Sequence, residues 1–224
     1  EPDRFTRDDT LHVVRPAPKQ ILVSRTGAEN VAELIASLIN SVDHATESKA
    51  GEAPDLVFAT YNPLQPTALP AVSIVLLNQE VVPQQFFGGA IVAANDPLIA
   101  DLDWQGLIAR STPSIPLVDG ERVLLWQGDR PLILAREDGR KRQLVFNFDV
   151  VASNAPRLPA FVILVHRFVN RIRDQKTGLE SLNAELRQPL AVAHDTSAEG
   201  GPLTLVSGKG RLTIAHDKVR FLRA

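Results

Sequence analysis

The sequence predicts an α/β domain followed by a smaller β-rich segment, on three observations. Residues 19–26 (KQILVSRT) read as a strand ending in Gly27, and Val31, Leu34, Ile35, Leu38, Ile39 and Val42 then recur at helical spacing. Three strand-like runs at 121–126, 131–137 and 143–148 are separated by Gln127-Gly128-Asp129 and Asp138-Gly139, which are hairpin turn signals. From about Thr177 the helical period disappears, and short β-prone runs (PLAVA, LTLVS, RLTIA, KVRFL) alternate with Ser, Gly and Asp turns.

The elements follow in order. Residues 1–18 are polar and contain proline, as expected of a loose lead-in. Strand, glycine turn and amphipathic helix over 19–42 form the first half of a βαβ unit. Asp43–Pro54 is polar and small, and reads as a mobile connection. Residues 55–59 (DLVFA) form a short buried strand. Asn62, Pro63, Pro66 and Pro70 forbid a regular helix after it. Residues 71–77 (AVSIVLL) are apolar without alternation, the pattern of a strand covered on both faces. Asn95 or Asp96 can cap a short helical turn with Pro97 at its first position. Leu158–Asp174 is the strongest helix, with Phe161, Leu164, Val165, Phe168, Val169 and Ile172 as its core stripe. The expected organisation is a lead-in over 1–18, an α/β domain over 19–176 and a β-rich module over 177–224 that resembles part of a sandwich.

Composition narrows the function classes. The 224 residues are 44% hydrophobic with a net charge of −2, so no basic field for nucleic acid is expected. The locally basic run 211–223 reads as solvated strand-edge arginines. Cysteine is absent, which excludes thiol nucleophiles, disulfides and Cys metal sites. Methionine is absent too and the chain opens at Glu1, so a piece of a longer protein is expected. No run of about 18 apolar residues is present to span a bilayer as a helix.

Few constellations could carry chemistry. No Gly-x-Ser-x-Gly elbow occurs. Arg25-Thr26-Gly27-Ala28 has one glycine where a phosphate loop needs several, so it reads as a structural turn. His12, His44, His166, His194 and His216 show no i, i+4 zinc spacing. His166 reads as a boundary residue of its helix, and His194-Asp195 and His216-Asp217 as turn residues. Asp101 and Asp103 could hold a hard cation but lack a calcium-loop pattern. No cofactor is expected. The densest polar cluster is Asn147, Asp149, Ser153 and Asn154, at the carboxyl end of a buried strand. Its residues either bond the turn backbone and cap the next helix or line a ligand crevice.

With these residues in view, the chain resembles the periplasmic-facing region of aerotolerance-type (BatA-like) bacterial membrane proteins, whose domain is similar to class I glutamine amidotransferases. The matching segments are DLVF at 55–58, DPLIADLDW at 96–104, GDRPLILARE at 128–137, QLVFNFDVVASN at 143–154 and LPAFVILVHRFV at 158–169. Asp96 stands where that pattern has a histidine, so no histidine role carries over. The resemblance implies a flavodoxin-like, three-layer fold with antiparallel additions. It also implies a soluble domain facing the periplasm, attached to the bacterial inner membrane through segments outside this chain. A working amidotransferase needs a cysteine, so that activity is not inherited.

The expected function is therefore a non-catalytic domain that binds a protein partner in the envelope, with Asn147, Asp149, Ser153 and Asn154 as the first candidate surface and the β-rich edge as the second. One alternative is a hydrolase-like enzyme using Asp149, His166 or a tail histidine. Another is a carbohydrate or peptide binder using Trp104, Trp126 or Tyr61, against which buried tryptophans would count.

Overall fold

A computed structural model describes residues 18–27, 29–78, 86–110, 115–117 and 120–176, and the backbone of short strands beyond them. By contact the chain divides into Gln20–Arg173 and a second unit made of Glu1–Lys19 with Asp174–Ala224.

Gln20–Arg173 is α/β. Strand β1 (Ile21–Thr26) passes through Gly27 and a 3-10 turn (Glu29–Val31) into helix α1 (Ala32–Ser41). The expected stripe is realised, with Ile35, Leu38 and Ile39 buried on the sheet side. The helix ends where Val42 turns extended and its N–H bonds the Ile39 carbonyl at 3.1 Å. His44 takes a left-handed φ of 56° and leads into β2 (Ala45–Glu47). The sequence reads this stretch as connection only. Ala-Thr-Glu has little strand propensity of its own, and the open edge of β1 recruits it into parallel pairing, Ile21 opposite Ala45.

β3 (Leu56–Tyr61) lies on the other side of β1, and β4 (Val72–Leu77) lies beyond β3. The proline-rich link between them forms turns, as Pro63, Pro66 and Pro70 require. β5 (Ile91–Ala93), β6 (Arg122–Gln127), β7 (Arg130–Asp138) and β8 (Lys141–Asp149) form an antiparallel meander. Its last strand returns to pair in parallel with β4. The eight-stranded order is β2-β1-β3-β4-β8-β7-β6-β5. β5 was not legible in the sequence, because three residues carry too short an alternation.

Helix α2 (Pro159–Asp174) follows β8 through a 3-10 turn, Ala155–Arg157. Its stripe is buried from Phe161 to Ile172, as the periodicity predicts. α1 and α2 pack into one large cluster with Ile74 and Leu76 of β4 and Leu144, Phe146 and Phe148 of β8. The opposite face holds a smaller cluster of Val75, Leu77, Leu134, Val145 and Ile115. Strand alternation produces both, since successive side chains leave opposite faces.

Residues 97–101 form the expected short turn, closed by the Ala100 N–H on the Asp96 carbonyl at 2.9 Å. The Asp96 carboxylate caps it by accepting the Leu98 N–H at 2.9 Å, and it also pairs with Arg122. Arg167 on α2 donates to the carbonyls of Pro97, Leu98 and Ala100 at 3.3, 3.2 and 2.7 Å. A side chain from α2 thus satisfies carbonyls that a continuing helix would have used. Trp104 beyond these turns is 2% exposed and joins the large cluster.

In the second unit, β9 (Gly178–Leu179), β10 (Pro189–Ala193) and β13 (Phe221–Arg223) form a three-stranded sheet, and β11 (Leu203–Ser207) pairs with β12 (Gly210–Ile214). The runs PLAVA, LTLVS and RLTI are strands as expected, and of KVRFL, Phe221 and Leu222 are. Lys19 Nζ donates to the Lys176 carbonyl at 2.6 Å within this unit. The lead-in before Pro18, and His12, His194 and His216, lie outside the described residues.

Candidate functional site at the carboxyl end of the sheet

β1, β3, β4 and β8 run parallel, so their carboxyl ends share one end of the sheet. The four residues singled out in the sequence sit at or just beyond the end of β8, and their side chains turn to different places. Asn147 is fully buried. Its Oδ1 accepts the Ile115 N–H at 2.7 Å, and its Nδ2 donates to the Ile115 and Pro131 carbonyls at 3.3 and 3.0 Å. It fastens Ile115 onto the second face of the sheet. Asp149 is 3% exposed, and its carboxylate accepts the Ala152 N–H at 2.9 Å.

Ser153 Oγ donates to the Val150 carbonyl at 2.8 Å and accepts the Ala155 N–H at 3.1 Å, closing the same turn. Asn154 occupies the cap position but makes no cap bond with its side chain. It reaches instead to another loop, accepting the Ile108 N–H and donating to the Gly106 carbonyl, each at 2.7 Å. Asp149 and Ser153 thus share one turn, while Asn147 and Asn154 each clamp a separate segment. Backbone groups engage both amides, the Ser153 hydroxyl and one oxygen of the Asp149 carboxylate.

A cavity lies elsewhere on the same end. Strand order reverses between β1 and β3, since the chain leaves β1 for β2 on one side and comes back to β3 on the other. The cavity has a volume of about 530 Å³ and is lined by Arg25, Thr26, Gly27, Glu29, Glu33 and Ile35, all from the end of β1, the turn after it and the start of α1. Gly27 has a φ of +118°, and a Cβ there would stand 1.6 Å from Thr60 Oγ1. The turn is pressed onto the end of β3 as only glycine allows.

Asn30 Nδ2 donates to Asn78 Oδ1 at 2.7 Å, which ties the helix entrance to the end of β4. Arg25 Nε stands 3.7 Å from Glu47 Oε1, with both side chains about half exposed. That pairing is loose and readily exchanged. Glu29 and Glu33 lie one turn apart at the start of α1, where the helix dipole favours negative charge. The lining therefore offers a guanidinium, a hydroxyl and two carboxylates. The sequence signal was the lone glycine between strand and helix; it marks a structural turn, as expected, and the same turn lines the cavity.

Other candidates resolve simply. Ser41 Oγ lies 2.8 Å from His166 Nε2, a contact between α1 and α2. Ser41 Oγ also lies 2.7 Å from the Leu38 carbonyl one helical turn back, so the hydroxyl has a backbone acceptor as well as the imidazole beside it. Asp103 accepts the Gln105 N–H at 2.9 Å, and Asp101 takes a φ of 60°. Among the described residues no three His, Asp or Glu side chains gather as a metal site. Trp104 is buried, and Trp126 and Tyr61 are half-buried. No helix among the described residues is long and apolar enough to cross a membrane. No protein-family model matches the chain, and no curated protein is significantly similar to it.

Proposed function

We propose that the protein is a non-catalytic binding domain that holds a protein partner at the carboxyl end of its sheet, through the cavity at the turn from β1 into α1. The observation that carries this reading is the 530 Å³ cavity at the β1–α1 turn, lined by charged and hydroxyl groups. A hydrolase-like reading is weaker on two counts. The Ser41 hydroxyl has a backbone carbonyl as acceptor, and Asp149 accepts a backbone N–H within its own turn. The buried Trp104 weighs against the carbohydrate-binding reading.

The flavodoxin-like class draws support from the parallel strands, whose order β2-β1-β3-β4-β8 follows the 2-1-3-4-5 pattern of that fold. The BatA-like resemblance adds the setting: a soluble periplasmic domain of a bacterial inner-membrane protein, attached through segments outside this chain, with an envelope protein as partner. That setting rests on the resemblance alone.

A pull-down from detergent-solubilised bacterial envelope tests the reading. The baits are the native chain, a Glu29→Arg/Glu33→Arg variant and an Asp149→Ala/Asn154→Ala variant, each checked for folding. A partner kept by the native chain and lost by the Glu29/Glu33 variant is the expected result. Loss only with the Asp149/Asn154 variant would move the interface to the β8 turn, and capture of nothing by the native chain would overturn the reading.

A further inference from the structure

Exposed apolar side chains gather at the same end of the sheet, away from the cavity. Phe86 and Arg110 face each other in an antiparallel bridge, and Phe87 N–H bonds the Ala109 carbonyl at 3.0 Å. Ala109 is fully buried, while Ile108 before it is exposed and Arg110 after it is half-buried against the Phe86 ring. Phe86 is 54% exposed and Ile108 55%. Asn154 binds the backbone of Ile108, which brings the β8 turn alongside, where Val151 is 44% exposed.

These side chains are held out by rigid backbone. Gly89 has a φ of +99°, and a Cβ there would come within 3.0 Å of Gly128 Cα. Gly128 N–H bonds the Ala90 carbonyl at 3.0 Å, and Gln127 Nε2 donates to the Phe87 carbonyl at 3.3 Å. The Phe-Phe-Gly-Gly stretch is thereby locked onto the β6–β7 turn.

The charge at this surface is basic. The Arg110 guanidinium lies 5.5 Å from the Phe86 ring centre, and its Nε is buried with no hydrogen-bond partner. No carboxylate among the described residues pairs with it. Arg130 stacks on Phe87 at 4.2 Å, and burial holds its pKa below the usual arginine value against the opposing pull of Asp129. Arg157 is exposed on the turn after Val151. Asp129 neighbours Arg130, and Asp103 is exposed on the loop that leads to Ile108.

We propose that this end of the domain docks on an anionic lipid surface, with Phe86, Ile108 and Val151 entering the headgroup layer and Arg110 and Arg157 meeting lipid phosphates. The charge calls for an anionic occupant. The apolar residues stand on three separate loops and do not line a groove. A fluid surface accepts such separate points, whereas a folded partner would have to match their spacing. The inference uses different residues from the cavity and stands independently of the partner-binding reading.

Vesicle co-sedimentation of the full chain tests it, with phosphatidylcholine alone and with an equal mixture of phosphatidylcholine and phosphatidylglycerol. Binding is expected to the mixed vesicles, to weaken with salt, and to be absent with phosphatidylcholine alone. Arg110→Gln should weaken it about fivefold, the share of one basic residue near an anionic surface. Phe86→Ser/Ile108→Ser, which alters exposed side chains only, should weaken it by about tenfold or more. No binding to the mixed vesicles, or equal binding by both variants, overturns the proposal. Concentration-dependent self-association that Phe86→Ser abolishes, in the absence of vesicle binding, would assign the surface to a second copy of the chain.

Discussion

Gly27 joins three parts of the molecule, namely the end of β1, the entrance to α1 and the Thr60 hydroxyl on β3. Its φ of +118° lies where an L side chain is strained, and the position of a Cβ is already occupied. Gly27→Ala is expected to cost about 2–4 kcal/mol, combining backbone strain with displacement of Thr60. Thermal unfolding should show a fall of roughly 5–15 °C in Tm; an unchanged Tm would mean the turn is looser than the geometry describes. The sequence marks Gly27 as a turn, but the need for glycine comes from Thr60, 33 residues on. Asn147 teaches the same lesson. Its place on an apolar strand is plain in the sequence, whereas its three bonds to Ile115 and Pro131 depend on a loop that folds over the sheet.

Among the elements, α2 carries the most apolar burial. Phe161 is fully buried and its ring centre lies 5.0 Å from that of Phe146 on β8. Phe161→Ala removes this contact and leaves a cavity between helix and sheet, at a cost of about 3–5 kcal/mol. Urea denaturation would show it as a lower midpoint with an unchanged slope; a cost below about 1 kcal/mol would mean that the helix repacks. α2 was legible because sixteen residues repeat one periodicity without interruption. The hairpins of β6, β7 and β8 were legible from Gly128 and Gly139, whose φ values of 60° and 52° are those the turns demand. β2 and β5 were not, since each is three residues long and exists because a neighbouring strand offers an open edge.

At the scale of the whole molecule, Gln20–Arg173 holds the eight-stranded sheet, both helices and both apolar clusters. A chain cut to residues 20–173 is therefore expected to fold alone and unfold in one transition. Fluorescence of buried Trp104 and far-ultraviolet circular dichroism should trace the same curve in urea. Separate transitions would show that residues outside this unit complete its core.

The sequence by itself determined the two helices, the longer strands and the change from a parallel to an antiparallel half. Each is written in local periodicity and turn chemistry, which act over a few residues. Only the tertiary structure decided the strand order, the cavity at the β1–α1 turn, the separate engagements of Asn147, Asp149, Ser153 and Asn154, and the meeting of Phe86 with Arg110. These depend on which strand lies beside which. That choice is made by burying apolar faces against segments far along the chain, and local periodicity does not record it.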